Sequence, residues 1–125
     1  AIKFLEIIEG KDVVSNIFSG SGTDEENLYK YWHKQDPTPE TEFNELMNEF
    51  YTRVDYCELN FKSLAGNSGA KSDRGKTYIK FGPPDSIDRD NDKNDKIVES
   101  WFYKNLNRKF VFVDMDGTGK FTLVN

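Results

Sequence analysis

Ser72-Asp73-Arg74-Gly75-Lys76-Thr77-Tyr78-Ile79-Lys80-Phe81-Gly82-Pro83-Pro84-Asp85 contains a charged turn, a short alternating run and a hard stop. Thr77, Ile79 and Phe81 alternate with Lys76, Tyr78 and Lys80, a period of two that predicts a strand over 76–81. Gly82-Pro83-Pro84 cannot continue a hydrogen-bonded ladder. The stretch separates a helical first half from a β-rich second half.

Upstream, Thr23 with Glu26 three residues later reads as a capping box opening a helix to about Gln35. Asp36-Pro37 closes it, because the residue before proline is pushed out of the α region. Thr38 then caps a longer helix with Pro39 at its first position. Phe43, Met47, Phe50, Val54, Cys57 and Phe61 recur every three or four residues, and Leu46 and Tyr51 widen that stripe. Residues 1–20 read less clearly: Phe4, Leu5 and Ile8 have helical spacing, while 12–18 fits a helix or an edge strand.

Downstream, Asp85 to Lys96 reads as a polar, acidic loop. Ile97–Tyr103, Arg108–Asp114 and Lys120–Val124 read as strands joined by the turns Asn105-Leu106-Asn107 and Asp116-Gly117-Thr118-Gly119. Connections that short force antiparallel neighbours. The expected fold is α+β: two helices, first in sequence, packed on one face of a three- to four-stranded antiparallel sheet. The expected organisation is a single domain over 1–125, with 1–22 an appendage, 23–62 the helical part and 73–125 the sheet part.

A chain of 125 residues with ten Phe, six Tyr and two Trp can bury a core of its own. A net charge of −5 disfavours unspecific nucleic-acid binding. No apolar run is long enough for a membrane span. Cys57 is the only cysteine, so no intrachain disulfide forms. The chain begins at Ala1 rather than Met and reads as a fragment or a processed form.

Tyr31-Trp32-His33-Lys34-Gln35-Asp36-Pro37-Thr38-Pro39, the Ser72–Asp85 stretch, Glu99–Tyr103 and Arg108–Asp114 together resemble the bacterial GWxTD domain family, from about residue 25 to the C-terminus. The eponymous motif is altered: Gly69-Ala70-Lys71-Ser72-Asp73 has Ala for Trp and Ser for Thr. The resemblance implies a domain of exported, periplasmic or cell-envelope proteins and no established biochemical activity.

Asp88, Asp90, Asp92 and Glu99 match positions 1, 3, 5 and 12 of a calcium loop, but Lys93 stands where the sharp turn needs Gly. A solvated acidic loop accounts for them as well, and neither a metal nor a cofactor is expected. His33 is the only histidine, which excludes a two-His metal site within the chain; it suits the C-terminal end of its helix. Cys57 falls on an apolar stripe and reads as a buried, inert thiol.

Asp73 and Arg74 have two readings. One is a polar pocket with Tyr78 or Trp101 as a wall. The other is structural, with Asp73 accepting backbone N–H bonds in the turn and Arg74 paired with a carboxylate on the long helix. Tyr78, Trp101 and Tyr103, sharing one strand parity, are the expected surface for a protein partner. The expected function is a non-enzymatic interaction or structural module of an extracytoplasmic bacterial protein. A ligand-binding or hydrolytic domain around Asp73 and Arg74 is the alternative.

Overall fold

A computed structural model describes residues 2–20, 22–36 and 44–125. A 3-10 helix over Ile2–Ile7 precedes α1 (Lys11–Phe18), α2 (Asp24–Gln35), α3 (Glu45–Asn60) and α4 (Asp73–Phe81). Four strands follow: β1 (Ser86–Asn91), β2 (Ile97–Tyr103), β3 (Arg108–Asp114) and β4 (Phe121–Leu123). The α+β class and the antiparallel sheet are as expected, but the described residues contain four α-helices rather than two. Two compact units are formed, 1–53 and 54–125, and the boundary falls inside α3.

In the first unit, Thr23 caps α2 as its sequence predicts: Thr23 Oγ1 accepts from the Glu26 N–H at 3.2 Å. Asp36, at φ −66° and ψ 119°, ends the helix in extended backbone. Residues 11–18 form a helix, so the edge-strand reading of 12–18 fails. Asn44 opens α3, its Oδ1 accepting from the Met47 N–H at 3.0 Å. Thr38, Pro39 and Phe43, expected to start that helix, lie outside the described residues. Trp32 is buried against Tyr31, Phe50 and Tyr51, and its indole N–H donates to the Tyr51 hydroxyl at 3.4 Å. Met47 and Leu46, placed on the apolar stripe by their spacing, are exposed.

In the second unit, the strand expected over 76–81 is part of helix α4. Ser72 takes the N-cap: its hydroxyl accepts from the Gly75 N–H at 3.0 Å. Gly82, at φ 82°, ends the helix in a backbone conformation that L side chains rarely adopt. Gly75 lets the helix approach the preceding loop, because a Cβ there would lie 2.0 Å from the Gly69 carbonyl oxygen. Gly69 does the same for α3, with Cys57 O only 1.9 Å from a built Cβ. Cys57 is buried as expected, its thiol 3.7 Å from the Gly75 carbonyl.

The sheet order is β1-β2-β3-β4, all antiparallel. Part of the stretch expected to be loop, 85–96, is strand β1. All six of its residues are exposed and show no apolar alternation, so pairing with β2 holds it rather than burial. Asp92 organises the β1–β2 turn by accepting from the Asn94 and Lys96 N–H groups. Registers Glu99↔Phe112 and Trp101↔Phe110 put these side chains on one covered face. That face packs on Phe61 and Tyr78, while β4 meets α4 through Leu123 N–H and the Asp73 carboxylate. No helix among the described residues is long and apolar enough to cross a membrane.

Candidate functional site

The polar cluster predicted around Asp73 and Arg74 lies at the start of α4, against β2 and β4. Asp73 occupies the first turn, where a carboxylate suits the helix dipole. Its Oδ2 accepts from the Leu123 N–H at 2.8 Å, joining α4 to β4.

Arg74, one residue on, points into the interior. Its Nη1 donates to Glu99 Oε1 at 3.4 Å and Oε2 at 3.3 Å, and Nη2 lies 3.5 Å from the Gly119 carbonyl. The guanidinium is sandwiched by rings, 4.7 Å from the centroid of Phe61 and 4.0 Å from that of Phe121.

Glu99 is the hub. The register Arg89↔Glu99 sets Arg89 directly across from it, and Arg89 donates to Oε2 through Nε at 3.2 Å and Nη2 at 2.6 Å. Trp101, two residues along the same strand face, donates its indole N–H to Oε1 at 2.7 Å. Both carboxylate oxygens are therefore multiply occupied. Burial pushes the Glu99 carboxyl up, but the bonds from Arg89 and Trp101 and the two guanidinium charges outweigh it and hold the group below its ordinary value. Burial lowers Arg74, with Glu99 opposing that shift. Asp114 sits at the edge of the cluster, its Oδ2 accepting from the Gly119 N–H at 3.1 Å and its buried Oδ1 without a partner among the described residues.

General acid chemistry needs a proton to give, and Glu99 is held ionised. General base chemistry needs a free lone pair aimed at a substrate, and its oxygens already accept from three side chains. The geometry gives Arg74 a structural role, but its carboxylate is Glu99 on β2 and not one on the long helix α3, and Asp73 accepts from Leu123 of β4 and not from its own turn, because α4 packs its first turn against the sheet.

Trp101 and Tyr103 share a face, as their parity predicts, but it is the covered face. Trp101 is 0% exposed, and Tyr103 is buried with its hydroxyl donating to the Gly82 carbonyl at 2.8 Å. Tyr78 is half-buried and stacked on Tyr56 at 4.6 Å. These three residues therefore do not make the exposed aromatic patch expected of them.

The calcium-like set is not brought together either. Asp88 and Asp90 pair with Ser100 and Val98 on the face opposite Glu99, and Asp92 bonds its own turn. Among the described residues no three His, Cys, Asp or Glu side chains converge. Sequence reasoning missed Arg89 and Asp114 and treated Glu99 only as a calcium ligand. The available signal was a charged residue between Val98 and Ser100, at the same strand parity as Trp101 and Tyr103. It also missed the outer sheet face, where Phe102 is 36% exposed and Ser100, with Val111 across from it, separates Phe102 from Val98.

No curated protein and no solved structure matches the chain. The family model of the GWxTD domain matches residues 5–124, nearly the whole length, and the chain belongs to that family.

Proposed function

We propose that this domain is a non-enzymatic interaction or structural module of an extracytoplasmic bacterial protein. One observation carries the reading: the best polar constellation, Arg74–Glu99–Arg89, is closed on itself, with both Glu99 oxygens engaged inside the protein. A hydrolytic or ligand-binding centre needs groups left unspent for a substrate. The outer sheet face supports the reading, with Phe102, Val111 and Val98 set around Ser100 and rimmed by Asp88, Asp90 and Lys109.

The test is a photo-crosslinking amino acid at position 102, compared with one at Lys93 in the exposed β1–β2 turn, in cells producing the parent protein. A discrete adduct at 102 that Val111→Asp removes, without a change in melting temperature, supports the module. Equal labelling from both positions, or hydrolytic turnover that Glu99→Gln abolishes, overturns it. Fractionation of the same cells tests the address; recovery of the parent protein in the cytoplasm would refute it.

A further inference from the structure

We propose that the groove between α1 and α2 binds a small amphiphilic carboxylate: an aliphatic chain with an anionic head. The inference is independent of the module reading, since every residue it uses belongs to the first unit.

The groove encloses about 620 Å³, within the range of small-molecule sites. Val13 and Ile17 of α1 give it an apolar wall. On the α2 side stands Asn27, only 7% exposed, whose Nδ2 is buried without a hydrogen-bond partner among the described residues. A buried amide donor left unpaired is costly, and native proteins seldom keep one. The Nδ2 surface is itself closed to water, so an acceptor in the groove satisfies it once the amide turns toward the groove. Lys30 and Lys34 line the same groove at three and seven residues from Asn27, along one side of the helix. They add positive charge next to that donor in a chain of net charge −5.

Glu9 also lines the groove, but its Oε1 already accepts from the Tyr31 hydroxyl at 3.2 Å. Burial, with Glu9 beside it, pushes Tyr31 up to about 12, so that hydroxyl remains a donor to Glu9. The groove thus offers an unspent donor, an apolar wall and two cations against the one anion of Glu9, a net positive charge. A carboxylate head and an aliphatic tail complement these three features.

Calorimetric titration of the whole chain with sodium octanoate tests this, with octanol as the neutral probe of equal chain length. Octanoate is expected to saturate one site with a dissociation constant below about 1 mM. Octanol is expected to bind at least about tenfold more weakly, and Asn27→Ala to weaken octanoate by about tenfold, as loss of a charge-assisted bond would. Lys30→Gln combined with Lys34→Gln should reduce both the affinity and its salt dependence. Ile17→Trp, which fills the apolar end, should abolish binding. Circular dichroism checks that each variant folds; if Asn27→Ala does not, octanol and Ile17→Trp decide. Absence of saturable heat, equal affinity for octanol and octanoate, or octanoate binding unchanged in a folded Asn27→Ala or Ile17→Trp would overturn the proposal.

Discussion

Arg74 and Glu99, 25 residues apart in sequence, form a buried ion pair with side-chain exposures of 8% and 5%. Arg89 reaches the same carboxylate from the rim, with 58% of its side chain exposed. The two arginines therefore make contacts of similar chemistry in different dielectric surroundings.

That difference gives the first prediction. Glu99→Gln leaves the Arg74 charge buried without its counter-ion and should cost about 3–5 kcal/mol in denaturant melts. Arg89→Ala removes an exposed partner and should cost no more than about 1 kcal/mol. Similar losses in the two variants would refute the assignment of Glu99 and Arg74 as the interior pair.

Acid stability follows from the same carboxyl. Its folded pKa lies below the ordinary value of 4.5, so the unfolded chain binds the proton more readily. The stability this group contributes is complete above that ordinary value and is lost as pH falls through the lower folded one. Thermal melts from neutral pH down to about pH 2 should show a steeper acid decline in the wild type than in Glu99→Gln. Parallel curves would show that Glu99 does not carry the effect.

Backbone contact makes Gly75 sensitive. An added Cβ would meet the Gly69 carbonyl oxygen at 2.0 Å and the Ala70 Cα at 2.8 Å, both backbone atoms. Gly75→Ala should cost about 3 kcal/mol or more, through displacement of α4 from the loop it touches. Gly117→Ala, in open space at φ 71°, should cost only about 1–2 kcal/mol. A Gly75→Ala protein as stable as wild type would mean that this close approach does not exist in solution.

Asp73 serves two purposes that substitution can separate. Asp73→Asn keeps an acceptor for the Leu123 N–H but removes the charge at the helix N-terminus, a loss of about 0.3–1 kcal/mol. Asp73→Ala removes both and should lose about 1–3 kcal/mol. Equal effects in the two variants would assign the whole contribution to charge.

Calcium should not bind tightly. Asp88 and Asp90 face away from Glu99, whose oxygens are taken by arginine and tryptophan donors. Titration should give no constant stronger than about 1 mM, the range of weak extracellular sites. A micromolar constant lost in Asp90→Asn would show that the hairpin rearranges around the ion.

Much of the fold can be read in the chain. The Thr23 cap, the Asp36 stop, the buried Cys57 and the three strands from Ile97 onward all follow from local chemistry or from period. The nine residues of α4 were misread because Thr77, Ile79 and Phe81 alternate, although Arg74, Thr77 and Phe81 equally fit a helix. In so short a segment the Ser72 cap and the Gly82 terminator decide between them. Strand β1 carries no apolar signal because it is an exposed edge held by its neighbour.

Capping, turn formation and side-chain parity act over two to four residues, and the sequence by itself determined these for this protein. Which face of the sheet is covered, and which carboxylate receives Arg74, were decided only by the tertiary structure. Those outcomes depend on partners 25 residues away at Glu99 and 50 residues away, from Asp73 to Leu123. The physical reason is burial: Trp101 and Glu99 acquired structural roles when α4 and Phe61 closed over their face and excluded water from it.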